Sequence, residues 1–338
     1  MIMRLPALRR IRRVLQGPCV EAPRWREHRE MFDHAVLLVG VFYAVTAYRL
    51  YDESRDLTFL AGPVDNLDLL WPVFWMQYVP LDSAVWVLVH LALVAGLMGL
   101  LFWRFLSVRI LVSVTLLQFM ALRLSYYGFG HGYHEWFWIS VCFWFLPTGR
   151  KRDIEAQRIG RMDFLYAFGF APALMLFFYT LSGLYKLLHA TVALSQGVVG
   201  GFSPSAMAVT VAQRALETGA EPMWAGVIID MPLLGWPIYL SLYFVEVVSI
   251  AVFFRPSLHR VWGVLLIGFH FGTLLFLDIE FPLHILINAL FFVMSPFAPK
   301  ESGWRSMLSA VPVFGGLFRL GFGWSATVGR VNSRAVSG

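Results

Sequence analysis

The sequence predicts an all-α fold, a polytopic integral membrane helical bundle of about eight transmembrane helices with both termini cytoplasmic. Three observations predict it. Hydrophobic residues make up 58% of the chain and charged residues only 14%, where a soluble domain carries about 25% charged. The apolar residues gather in runs of membrane-crossing length. The basic residues alternate from one connecting segment to the next.

A crossing helix needs about 20 mainly apolar residues. Runs that meet or approach this lie at 33–51, 83–103, 106–126, 133–147, 163–187, 232–254, 258–277 and 281–297. The fourth is short. The last two are separated only by the turn Asp278-Ile279-Glu280.

The connections test the count. The arm 1–31 holds eight arginines against three glutamates, and 52–82 holds Arg55 against six acids. Arg104 and Arg109 follow, and Gly128–His134 carries no lysine or arginine. Residues 148–162 bring Arg150, Lys151, Arg152, Arg158 and Arg161, whereas 188–231 has only Arg214. Arg255 and Arg260 precede the acidic turn, and the tail holds Lys300, Arg305, Arg319, Arg330 and Arg334. Twenty-two basic residues thus fall on one side and two on the other. Cytoplasmic loops are enriched in lysine and arginine, so the alternation orients the bundle. An odd number of helices would break it.

The chain divides accordingly into a basic cytoplasmic arm at 1–31, a transmembrane domain at 32–298 and a cytoplasmic tail at 299–338. Arginines interrupt every apolar stretch of the arm, which reads as retained rather than as a cleaved leader. Residues 63–80 are aromatic and broken by proline, suiting an outer interfacial or re-entrant piece. Residues 203–218 open with Ser-Pro and run as a short amphipathic helix on the same face. Residues 304–324 suit the inner interface. The net charge of +6 follows the topology, so membrane lipid is the expected partner and nucleic acid is not. Cys19 and Cys142 fall at different depths and are not expected to pair. The Arg-rich, Lys-poor composition suits a bacterial inner (plasma) membrane.

Ionisable groups at membrane depth are costly and therefore functional candidates. Lys186 falls at the outer end of its helix. It reads either as a lysine snorkelling to headgroups or as a partly desolvated base. His131 and His134, with Glu135 alongside, enter the fourth run from outside. Their spacing allows a metal pair, but no third ligand is evident, so an orienting histidine is favoured and no metal is expected. Glu246 and His270 sit mid-helix, either hydrogen-bonded between helices or joined in a proton relay. His90 reads as an interhelical hydrogen bond. Asp278, Glu280 and His284 ring the outer end of the last hairpin, as solvated residues or as the rim of a site. There is no Walker A loop, no H-E-x-x-H, no G-x-S-x-G and no paired broken helices in repeated halves.

Three segments together resemble a known family. They are Gly132-Tyr133-His134-Glu135-Trp136-Phe137, then Phe178-Tyr179-Thr180-Leu181-Ser182-Gly183-Leu184-Tyr185-Lys186-Leu187, then Phe269-His270 followed by Leu274–Phe276, Phe281, Phe291-Phe292 and Ser295-Pro296. In this order they resemble the HTTM (horizontally transferred transmembrane) domain, the membrane portion of vitamin K-dependent gamma-carboxylase, over roughly residues 28–300. The resemblance implies that Lys186 is the base that deprotonates a reduced quinone (vitamin K or menaquinone hydroquinone), assisted by His134. It further implies that Phe269-His270 belongs to the site, and that the chemistry faces outward. Epoxidation of the quinone would then drive CO2 addition to a glutamate of a peptide. The chain departs from the carboxylases at Tyr185, where they carry a second lysine, and about 40 residues follow its last run where they carry a large lumenal domain.

The expectation is therefore a quinone-hydroquinone-dependent membrane enzyme, a carboxylase-like lyase or oxidoreductase, acting on a peptide or small molecule at the outer face. Lys186, His134, His270 and Glu246 would be its catalytic residues, with His131 and Asp278 contacting the cofactor. The alternatives are a non-catalytic accessory or scaffold protein, or a DoxX-like quinone-linked protein.

Overall fold

The computed structural model of the protein describes residues 25–57, 68–127, 133–149, 158–300 and 303–315, and no strand occurs among them. Helix α1 covers Trp25–Asp56 and is followed by a 3-10 turn at Trp71–Tyr78. Helices α2 (Leu81–Phe102) and α3 (Leu106–Tyr127) come next, then α4 (His134–Cys142) with a 3-10 turn at Phe143–Phe145. Helix α5 runs Arg158–Ser195, α6 Ala206–Thr218 and α7 Ala225–Asp230. Then come α8 (Pro232–Phe253), α9 (His259–Leu277), α10 (Pro282–Asn288) continuing into a π turn at Ala289–Val293, and α11 (Trp304–Ala310).

Among the described residues, six helical segments are long and apolar enough to cross a membrane: Arg29–Asp56, Leu81–Phe102, Leu106–Ser125, Gly160–Ser195, Pro232–Phe253 and Pro256–Leu277. The other two expected spans are shorter. Helix α4 has nine residues before its 3-10 turn, and the last apolar helix covers Pro282–Val293. Proline explains both. Leu146 is extended, as the residue before Pro147 should be, which stops the fourth run. Pro282 has no N–H to give and starts α10 afresh. By contrast α5, with 38 residues, is about 57 Å long and exceeds a bilayer's hydrocarbon core.

Aromatic rings fill the interior. Phe42 stacks on Trp136 at 4.8 Å and meets Phe143 edge-on at 5.1 Å, and Phe168 lies 5.5 Å from Phe291. The Trp136 indole donates to Thr46 Oγ1 at 2.8 Å, so its one polar atom is satisfied in the core. On the outside α2 exposes Trp86, Leu93, Leu97 and Leu101. Apolar side chains turned outward around a packed aromatic core are stable where the surroundings are themselves apolar.

Several expected placements change. His90 is exposed and bonds within its own helix, with Nδ1 2.8 Å from the Trp86 carbonyl and its ring stacked on Trp86, so it ties no second helix. Arg109 is fully buried rather than in a loop; its Nη1 donates to the carbonyls of Phe143 and Leu146 at 3.0 and 2.6 Å and caps the end of the α4 unit. Glu53 is also buried, held by Arg49 and Arg123. The amphipathic helix expected at 203–218 is α6. Of the segment 63–80, the part at Trp71–Tyr78 is the 3-10 turn. Cys142 is buried and Cys19 lies outside the described residues. Helix α11 begins the segment expected at the inner interface, and its remainder beyond 315 lies outside the described residues.

Helices α5 and α8 form the most extensive pairing in the bundle, and it positions the site. A Cβ on Gly183 would sit 2.7 Å from Glu246 Cβ and from Val247 N, so only glycine allows the two backbones to come this close. One turn away, Thr180 wedges its hydroxyl into the α8 ladder: Oγ1 accepts from Ile250 N at 2.9 Å and donates to Glu246 O at 3.3 Å. These contacts fix the register of α5 against α8.

Candidate functional site

Lys186 lies one turn beyond Gly183 on α5, and Glu246 lies opposite on α8. Lys186 Nζ donates to Glu246 Oε1 at 2.5 Å. The lysine side chain is 38% exposed and the carboxylate 3%, so the amine is the reachable member. Lys186 Nζ stands 5.5 Å from the centre of the Phe269 ring on α9, a cation–π distance. Glu246 Oε2 is buried and takes no hydrogen bond.

Next to Phe269, His270 opens a second group. Its Nε2 lies 2.6 Å from the Tyr179 hydroxyl of α5, and Asn288 Nδ2 of α10 donates to that hydroxyl at 2.9 Å. The His270 ring is 4.9 Å from that of His284, also on α10, and 5.1 Å from Phe281. His284 Nε2 approaches Glu135 Oε2 of α4 at 3.5 Å, an electrostatic contact without hydrogen-bond geometry. Helices α4, α5, α8, α9 and α10 thus converge, bringing two carboxylates, two imidazoles, an amine, a phenol and an amide into one interior region.

Of the residues singled out from the sequence, the structure brings together Lys186, Glu246 and His270. Lys186 pairs with Glu246. His134 is exposed on the first turn of α4, and the α4 side chain that enters the cluster is its neighbour Glu135, which is buried. Asp278 is exposed and caps α9 in the left-handed conformation, φ 53°, its N–H bonded to Leu274 O. The member of that hairpin in the cluster is His284. His131 lies outside the described residues. The sequence alone gives Tyr179 no role and does not mark Asn288 as part of a site. A lone asparagine in the apolar run Leu283–Phe292 was a usable signal, because a polar group at membrane depth needs a partner.

Buried polar atoms are normally hydrogen-bonded. Here Glu246 Oε2, Glu135 Oε2, Asn288 Oδ1 and His270 Nδ1 are buried without such a partner and belong to the one cluster. The amide oxygen can only accept, and the carboxylate oxygens accept where they are ionised. The arrangement suits a ligand that donates hydrogen bonds, such as one bearing hydroxyl groups. Among the described residues no group of three or more His, Cys, Asp or Glu side chains is arranged to hold a metal ion. No family model, curated protein or solved structure matches the chain.

Proposed function

We propose that the protein is a multi-pass integral membrane protein of the bacterial inner-membrane type, with both termini cytoplasmic, that binds a reduced quinone and removes a proton from it at Lys186. The observation that carries this reading is the set of buried polar atoms without hydrogen-bond partners around the Lys186–Glu246 pair. A hydroquinone offers two hydroxyl donors and a flat ring for the Phe269 side of the cluster, whereas the oxidised quinone offers only acceptors. The sequence resemblance to the HTTM domain and to vitamin K-dependent gamma-carboxylase points to the same substrate class.

In the proposed step Lys186 first passes one ammonium proton to Glu246 across their contact; the neutral amine then takes the substrate hydroxyl proton, so that an O–H bond breaks, an N–H bond forms and a phenolate is left. Glu246 lies within hydrogen-bond distance of Nζ, so it can take that first proton. Its burial keeps the carboxylate facing the amine rather than water. Oxygen and CO2 chemistry of the carboxylase kind would follow on the phenolate.

The test is to supply purified protein with menaquinone hydroquinone under air and measure bound hydroquinone and epoxide formed. Wild type should bind and form epoxide, and Lys186→Ala and Glu246→Gln should bind but fail to turn over. His134→Ala tests the assisting role carried by the resemblance. Turnover unchanged in Lys186→Ala removes the base assignment. Binding without turnover in wild type favours an accessory protein, and absence of binding removes the quinone reading.

A further inference from the structure

Three atoms in the cluster constrain one another's protons. Asn288, Tyr179 and His270 are 0%, 5% and 4% exposed, so solvent does not share their hydrogen bonds. The Asn288 amide nitrogen can only donate, and it does so to the Tyr179 oxygen at 2.9 Å. The phenol has a single proton, and its other neighbour is His270 Nε2 at 2.6 Å. With the oxygen already accepting from the amide, the phenol proton points to Nε2. Nε2 is then a lone pair, and the proton of the neutral imidazole must sit on Nδ1. Nδ1 is the ring atom left without a protein partner.

We propose that Asn288 and Tyr179 are positioning residues that hold His270 as its neutral Nδ1–H tautomer, so that the imidazole offers the bound substrate a hydrogen-bond donor rather than a base. The use by substrate rests on the reading of this cluster as the hydroquinone site; the tautomer itself does not. The consequence is a division of labour. Lys186 and Glu246 take the proton from the substrate, and His270 Nδ1–H faces an oxygen that has lost one. A donor aimed at a developing phenolate stabilises charge where water is excluded. His284 and Phe281, which flank the His270 ring at 4.9 and 5.1 Å, keep it from turning.

The experiment uses the full chain, labelled with 15N-histidine and placed in lipid nanodiscs, with the His270 signals assigned by their loss in His270→Gln. At neutral pH wild type should show His270 Nε2 unprotonated and Nδ1 protonated. Tyr179→Phe keeps the ring and its packing but removes the phenol proton, and should convert the signals to a mixture of tautomers. A wild-type ring with Nε2–H, or with both nitrogens protonated, overturns the proposal, as do signals unmoved in Tyr179→Phe. Hydroquinone binding measured on the same samples separates the two readings. A reversed tautomer with binding intact sinks this inference alone, and the expected tautomer without binding overturns the assignment of that donor to substrate.

Discussion

Arg123 grips Glu53 with two nitrogens, Nε and Nη2 donating to Oε2 at 2.9 and 2.7 Å, and so ties the end of α3 to the end of α1. Arg49 Nη2 donates to the other oxygen, Oε1, at 3.1 Å and to the Tyr133 hydroxyl at 2.6 Å. The clasp therefore also anchors the residue immediately before α4. Glu53 is 6% exposed at its side chain, so loss of Arg123 leaves a buried charge balanced by Arg49 alone. Arg123→Ala is expected to destabilise the protein by about 3 kcal/mol, and Glu53→Gln by less, because the amide keeps the shape and one acceptor. Thermal unfolding in detergent gives the ranking. Equal, negligible effects would show the clasp to be dispensable.

Gly183 gives a second prediction. With its Cβ position 2.7 Å from both Glu246 Cβ and the Val247 backbone, Gly183→Ala must push α5 from α8. The expected cost is about 1–3 kcal/mol, as for overpacking elsewhere. Lys186 should also move off Glu246, so turnover should fall along with stability. Gly226→Ala is the control: a Cβ there meets nothing within 4 Å, and in helix α7 the change should be neutral or stabilising by roughly 0.5–1 kcal/mol. The two melting temperatures, side by side, decide it.

The fold was legible where one helix sufficed to read it. The long apolar runs and the position of α6 follow from local composition. What failed was whatever needs the phase of one helix against another. His134 and Glu135 are adjacent and equally polar, yet α4 turns Glu135 inward and leaves His134 exposed, and a single apolar run does not say which. Tyr179 meets His270 across 91 residues and Asn288 across 109. Glu53 reads as a loop acid until Arg123, 70 residues on, is brought to it. The short helices α4 and α10 read as spans because their apolar runs continue past the helices, into the 3-10 turn at Phe143–Phe145 and the π turn at Ala289–Val293.

Lys186 and Glu246 yield a third prediction through a double-mutant cycle. Removing one partner strands the other, whereas removing both leaves only apolar contacts. Lys186→Met should cost roughly 3 kcal/mol if the buried carboxylate stays charged, and Glu246→Leu less, because the lysine left behind is 38% exposed. The double variant should recover most of that stability without recovering turnover. Additive losses in unfolding measurements would mean that the two side chains are not coupled, against their 2.5 Å contact.

Arg109 carries the last. Its Nη1 serves the carbonyls of Phe143 and Leu146, which end the α4 unit; the Phe143 carbonyl also accepts from Leu146 N at 3.2 Å. The guanidinium is fully buried, and no salt bridge to a carboxylate occurs at it among the described residues. Its charge is therefore offset by the partial negative end of that short helix. Arg109→Met removes the buried charge and both hydrogen bonds at similar volume, while Arg109→Lys keeps the charge on a single ammonium. If charge against the helix end dominates, lysine should retain most of the stability and methionine should lose about 2 kcal/mol. If the cost of burying the charge dominates, methionine should equal or exceed wild type. Because α4 also carries Glu135, frayed carbonyls at its far end should weaken the proposed hydroquinone binding in step with the loss of stability, which titration of the two variants would measure.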